Sequence, residues 1–467
     1  MTCWAMTRVP IREGVSKSRS HQVRGHINLH LADPASNAGK ESNIQYRDGC
    51  ARSCVDHFWR IPLGAGLTIL PEHGFNCWND AMNTEPRPSY SPGLEGVIAG
   101  ETSICWVDPN AGLLYRGYDI HELASQVGYE EVAWLLLHGE LPTEEECSSF
   151  SRQLAEQRPL PRQVIETLRQ FPKGTHPMDM LRTGISMLAV FDPDLNDHSR
   201  AANLRKATRL IAQDSTLVTS AWRIAHGREL PPVRPDLTHA ANFLYSLTGE
   251  PPEDWRTEIL DRILVLYADH EFNASTFSAR VTASTLADMY AAVTTGLGTL
   301  KGPLHGGANE ETMKMLREIG SPDRSESWVK QRLARKEKIM GFGHRVYKKG
   351  DSRVPMMREL ARELGRRFGQ NHWAPICEGL EAVMEREKKL CANVDLYAAP
   401  VFYLLGLPSE LNTPLFACSR ISGWCAHIIE QHDHNRLIRP RSLYTGPARR
   451  AFPTGNWKKP RPTNTAS

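Results

Sequence analysis

The sequence predicts an all-α protein, on three observations. From residue 119 onward, apolar residues recur at the three-to-four spacing of amphipathic helices. Helix start and stop residues stand at the ends of those stretches. Runs of β-branched and aromatic residues long enough to build a large sheet are nearly absent.

Taken in order, the first ~85 residues show no amphipathic period and scatter Trp, His, Pro and Ser. Residues 1–87 read as an extension outside the folded domain, with Met82 a start nearer to it. A transit peptide is the alternative, because the opening stretch is poor in acids and contains Arg and Ser. Residues 102–106 and 113–115 flank a turn-rich Asp108-Pro-Asn-Ala-Gly112 and predict a short hairpin. Asp119 with Glu122, and Thr143 with Glu146, have capping-box spacing. A helix over 130–138 stops at Gly139. Further helices are predicted over 162–170, 178–189, 201–226, 237–247, 255–267, 310–319, 325–336 and 354–368. The stretch 281–300 is crowded with Ala, Thr, Ser and Gly and reads as one helix. It packs closely against neighbours, either within one domain or across a subunit interface.

Composition narrows the function classes. The 467 residues suffice for a large core without disulfide or metal staples. A formal charge of +3 gives no global pull toward nucleic acid or membrane. No apolar run approaches the ~18 residues of a membrane span. Ten cysteines at irregular spacing, with no CxxC pair, suit a reducing compartment. Cys50, Cys54 and His57 lack a fourth metal ligand at sensible spacing and read as ordinary side chains.

Four polar segments interrupt the helices: ADHEFNAST (268–276), KGPLHGGAN (301–309), GFGHRVYKKGDSR (341–353) and NVDLY (393–397). Each sets a His or Asp beside glycine or at a helix mouth. Glycine there permits tight turns and close approach of backbone to a ligand. His305 precedes a helix whose start is marked by Asn309, Glu310 and Glu311. The positive end of that helix disfavours a protonated imidazole, so His305 is expected to stay neutral and donate to a developing oxyanion. His427, His432 and His434 read as surface histidines at a helix end.

In this order the four segments resemble the citrate synthase family, in its compact bacterial form. So do PGLEGVIAGETSI and YRGYDIHELA near the start, and SRISGWCAHIIEQ and NRLIRPRSLYTGP near the end. The resemblance runs from about Pro92 to Pro447. It implies a two-domain helical fold with its active site in the cleft: a large domain over 88–307 and 415–450, a small one over 308–414, and a flexible tail over 451–467. The implied reaction condenses acetyl-CoA with oxaloacetate and water to give citrate and CoA. By the same resemblance Asp395 is the base, His305 stabilises the enol and His344 protonates the oxo-acid carbonyl. His270, Arg353 and Arg420 hold the oxo-acid, and Arg439 is the arginine supplied by a second subunit of a homodimer. Lys348 and Arg345 lie near the CoA phosphates. Acetyl-CoA is a co-substrate, and no tightly bound cofactor or metal is implied. A cytoplasmic location is implied, or the mitochondrial matrix if the leader is a true transit peptide. Two alternatives share the framework: a 2-methylcitrate synthase using propionyl-CoA, which Leu304 weighs against, and a scaffold without the chemistry. A His/Asp metallohydrolase is a third, and would lose activity on chelation.

Overall fold

The computed structural model describes residues 90–451, apart from 109–111, 345 and 348. The expected extension, nearly all of the expected tail, the Cys50, Cys54 and His57 group, and both Arg345 and Lys348 therefore lie outside the described residues.

The predicted hairpin is present and gains a third strand. Strands β1 (Cys105–Asp108), β2 (Gly112–Tyr115) and β3 (Tyr118–Asp119) pair in sequence order, antiparallel, with Cys105 opposite Tyr115. Alternation buries Cys105, Val107, Leu113 and Tyr115. Sixteen α-helices follow among the described residues. The first ten are α1 (Ile120–Gln126), α2 (Tyr129–His138), α3 (Glu144–Gln157), α4 (Arg162–Leu168), α5 (Pro177–Leu188), α6 (Arg200–Ala225), α7 (His239–Thr248), α8 (Asp254–Tyr267), α9 (Ala274–Ala283) and α10 (Met289–Leu300). The remainder are α11 (Ala308–Ile319), α12 (Ser325–Ala334), α13 (Val354–Arg367), α14 (Trp373–Lys388), α15 (Val394–Leu404) and α16 (Asn412–Asp433).

Local chemistry sets many of these boundaries. Thr143 and Glu146 form the full reciprocal capping box of α3. Asp119 caps α1 alone, accepting from the His121 N–H, so the expected reciprocity with Glu122 is absent there. Gly139 ends α2 in the left-handed conformation, with φ 102°. The single helix expected over 281–300 is instead two. Residues 284–288 form a turn in which Leu286 takes φ 62° and Asp288 caps α10 by accepting from the Ala291 N–H. The small residues then let α9 and α10 fold side by side, joined by hydroxyl pairs Ser278–Thr299 (2.8 Å) and Thr282–Thr295 (3.0 Å).

The two longest helices, α6 and α16, pack on each other through the core. α16 also meets α2, α8, α9 and α10. Helices α11 to α15 pack chiefly among themselves, and α11 connects them to α16. No helix among the described residues is long and apolar enough to cross a membrane.

Candidate active site

Each of the four polar segments sits where a helix begins or ends. His270 follows the C-terminus of α8, on a turn where Glu271 adopts φ 54°. His305 lies between α10 and α11, Arg353 immediately before α13, Asp395 in the first turn of α15 and Arg420 inside α16. His344 occupies the loop ahead of α13, tied back to the start of α15 through Gly343 N–H to Cys391 O and Asn393 Nδ2 to Gly343 O.

These side chains converge. The His270 and His344 rings are 5.0 Å apart, and both meet Tyr347. Tyr267 forms the floor: its ring packs edge-on against Phe416, the Arg353 guanidinium lies 5.5 Å from its centre, and its carbonyl accepts Arg420 Nε at 2.7 Å. The Arg420 guanidinium lies 4.7 Å from the Phe416 ring, against which His305 also packs edge-on at 6.2 Å. Asp395 reaches the same centre, with Asn309 Nδ2 at 3.5 Å from its Oδ1 and Asn412 holding Asn309 in turn at 2.8 Å.

The charges are built for anion binding. Arg353 is locked by a bidentate pair with buried Asp351, Nε to Oδ1 at 2.9 Å and Nη2 to Oδ2 at 2.8 Å. Asp351 also accepts the Val394 N–H at 3.1 Å, which ties that arginine to the helix carrying Asp395. Arg420 has no such carboxylate partner. It is 1% exposed, and both Nη atoms lack a hydrogen-bond partner among the described residues, as does Nε2 of buried His270. Buried guanidinium and imidazole nitrogens in that condition are costly unless a ligand carboxylate satisfies them.

Protonation follows from the same packing. Burial, with Arg353, pushes His344 down to about 4. Its Nδ1 accepts from the Val346 and Tyr347 N–H groups at 3.1 and 3.0 Å, so the neutral ring carries its proton on Nε2. Burial and then Arg420 push His305 down to about 4. The expected neutral state is therefore favoured chiefly by desolvation. Burial raises Asp395 to about 6, against the opposing pull of Arg353.

Of the residues singled out in the sequence, the structure brings His270, His305, His344, Arg353, Asp395 and Arg420 into one cluster. Arg439 is not part of it: it is exposed and lines a groove of about 910 Å³ with Arg280 and Glu430. The reading missed Tyr267, Ser275 and Asp351. It also took Asn309 as a helix-start marker, whereas α11 has no capping side chain and Asn309 is spent on Asp395. His427 was misread as a surface residue; it is fully buried, because α16 runs through the core rather than over the surface. His432 is half-buried against Asn203, and only His434 is exposed. No group of three or more His, Cys, Asp or Glu that would suit a metal is found among the described residues.

Comparison with known proteins bears on the same segments. The family model "Citrate synthase, C-terminal domain" matches residues 93–441. "Citrate synthase 2" of Bacillus subtilis (strain 168) is 46% identical over 361 residues, covering 77% of this chain and 97% of that protein. "2-methylcitrate synthase" of Mycobacterium tuberculosis (strain H37Rv) is 44% identical over 395 residues, covering 84% of this chain and 98% of that protein. The crystal structure of citrate synthase from Thermotoga maritima MSB8 superposes with a TM-score of 0.70 at 40% identity, covering 77% of this chain and 97% of the other. Citrate synthase from Thermoplasma acidophilum, in ternary complex with carboxymethyl coenzyme A and oxaloacetate, superposes with a TM-score of 0.73 at 33% identity, covering 78% of this chain and 98% of the other. The matched span takes in every side chain of the cluster, and the chain belongs to the citrate synthase family.

Proposed function

We propose that the chain condenses acetyl-CoA with oxaloacetate and water to give citrate and CoA. The observation that carries this is the set of buried, partnerless nitrogens on Arg420 and His270 beside Arg353, within the same cluster as a carboxylate raised to about 6. Two guanidinium groups and an imidazole suit a small dicarboxylate.

A thioester α-proton is too weakly acidic for a carboxylate in water. Asp395 removes it here because burial raises the carboxylate's basicity while a neutral His305 hydrogen-bonds the enol oxygen. Nε2 of His305 lies 2.9 Å from the Ser275 hydroxyl. For Nδ1–H to face the enol, Ser275 must give its one proton to His305 Nε2 rather than to Asn273 Oδ1 at 2.7 Å. The enol carbon then attacks the oxaloacetate carbonyl, whose oxygen takes the Nε2 proton of His344. Water cleaves the resulting thioester and releases CoA.

Closure of a small domain (308–414) over a large one (88–307 and 415–450) would exclude bulk water from the thioester. The mutual packing of α11 to α15 supports that division. A homodimer would bring Arg439 of one chain to the other's oxo-acid, and Lys348 and Arg345 would meet the CoA phosphates. Acetyl-CoA is a co-substrate, and no resident cofactor is invoked. A cytoplasmic enzyme fits this reading.

A second reading, condensation of propionyl-CoA to 2-methylcitrate, is favoured by relatives of that name at 41–44% identity. Leu304 does not decide between them, since its side chain is 84% exposed. One methylene is worth only ~1–3 kcal/mol in an apolar pocket. CoA release measured with each thioester, with and without oxaloacetate, tests both. Release that depends on oxaloacetate and prefers acetyl-CoA is expected; a propionyl preference transfers the assignment to the second reading, and independence from oxaloacetate refutes both. Asp395→Asn should lower turnover by about 10²–10⁴-fold while oxaloacetate affinity stays near wild type.

A further inference from the structure

The turn presenting His270 is held from behind by a line of buried polar groups that the proposed reaction does not use. His427, on α16, is 0% exposed. Its Nδ1 lies 3.0 Å from Arg280 Nη1, and its Nε2 lies 3.2 Å from Asp269 Oδ2. A guanidinium can only donate, so Nδ1 must accept. The ring proton therefore sits on Nε2 and is donated to Asp269.

Both ends of this bridge are anchored. Arg280 Nη1 also donates to Glu430 Oε2 at 2.6 Å, and Glu430 Oε1 accepts the Ser103 N–H at 2.8 Å. Asp269 Oδ2 accepts the Glu271 N–H at 3.0 Å, closing the turn in which Glu271 is forced to φ 54°. His270 is the residue between them. A non-glycine residue in the left-handed region persists only where its surroundings over-determine it. Tyr115 adds a second clamp on the backbone of the same residue, donating to Asp269 O at 2.9 Å and accepting its N–H at 3.1 Å.

We propose that His427 is a positioning residue for the condensation: a one-proton bridge from Arg280 to Asp269 that fixes the turn on which His270 meets the oxo-acid. This rests on the reading of His270 as an oxo-acid ligand. Without the bridge, Asp269 keeps its burial and loses its imidazole donor, and the turn gains freedom where His270 leaves the backbone.

Glutamine can reproduce the bridge, with its amide oxygen toward Arg280 and its NH₂ toward Asp269, whereas leucine fills similar space with neither. Oxaloacetate affinity is measured by calorimetry on the full chain for wild type, His427→Gln and His427→Leu, beside melting curves and steady-state CoA release. The leucine variant is expected to bind oxaloacetate about tenfold more weakly, the size of one buried charge-assisted hydrogen bond. Its KM for the acyl-CoA should stay within about twofold of wild type, and His427→Gln should restore oxaloacetate binding to within about twofold. If His427→Leu does not fold, His427→Asn takes its place, since its shorter side chain cannot span both partners. Wild-type affinity in the leucine or asparagine variant, or a glutamine variant as weak as leucine, overturns the proposal. Wild-type protein that binds oxaloacetate yet releases no CoA counts against the reaction alone, because the bridge is read from binding.

Discussion

At the scale of single residues, the site works by keeping its titratable groups away from their solution charge states. His305 and His344 are each pushed down to about 4, so both are neutral donors at any pH where the chain is expected to work. Asp395 is pushed up to about 6 by burial, with Arg353 opposing. As a base it must be ionised, so kcat/KM for the acyl-CoA should rise with pH through about 6 and level off above it. Below that point it should fall by about tenfold per unit. A profile of CoA release between pH 4.5 and 8 checks this; a flat acid limb would remove Asp395 from the proton-abstraction step. The residues that could be read from sequence are those lying in short motifs that break the helical pattern, His270, His305, His344, Arg353 and Asp395, with Arg420 in the SRISG stretch. Those that were missed act through fold. Tyr267 is an unremarkable last residue of α8, and Ser275 one hydroxyl among several; only packing aims them at the centre. His427 was misread because three histidines within eight residues look like a surface cluster, and nothing local says that α16 is buried on all sides.

At the scale of elements, legibility followed amphipathicity. Helices with one wet face, such as α5 and α13, were predicted to within a few residues of their observed ends. The sequence predicts no range for α14, α15 or α16, although the histidines near the end of α16 read as lying at a helix end. The last two bury almost their whole circumference, so no polar stripe marks a period, and α15 contains Pro400. α14 does have a wet face, but it starts without a capping side chain. The same burial dictates Gly423 in mid-α16. A Cβ there would stand 2.4 Å from Ala268 O and 2.4 Å from Asp269 Oδ1, beside the turn that carries His270. Alanine gains about 1 kcal/mol in helix propensity over glycine. That gain is outweighed here, because the main obstacle is backbone and cannot rotate away; overpacking of this kind costs about 1–3 kcal/mol. Gly423→Ala should therefore melt lower than wild type and bind oxaloacetate more weakly. An unchanged melting temperature with unchanged affinity would mean that α16 and the turn can separate freely.

At the scale of the whole molecule, the packing of α6 on α16 contains a weakly compensated carboxylate. Asp214 is 0% exposed, and among the described residues its oxygens have no well-formed hydrogen bond, with only the weak Cys418 thiol to oppose its burial. Burial pushes it up to about 7, against a smaller opposing pull from the Cys418 thiol. The sign of its effect on stability follows from comparing folded and unfolded chains. Below about pH 4 both hold the proton, and the group is neutral in its effect. Between about 4 and 7 the unfolded chain releases the proton and the folded chain keeps it, so stability falls by about 1.4 kcal/mol per unit. Above 7 both are ionised, and the loss stays constant at roughly 4 kcal/mol. Asp214→Asn is uncharged throughout and should escape this slope. Its melting temperature should exceed that of wild type clearly at pH 8, and the gap should close steadily toward pH 5. Since α16 also carries Arg420 and His427, the same titration loosens the helix on which oxaloacetate binding depends. The asparagine variant should therefore hold its oxaloacetate affinity better than wild type as temperature rises at pH 8. A gap that is equal at pH 5 and pH 8 would show that the folded chain has already released the Asp214 proton by pH 5, so that burial does not hold it on the group.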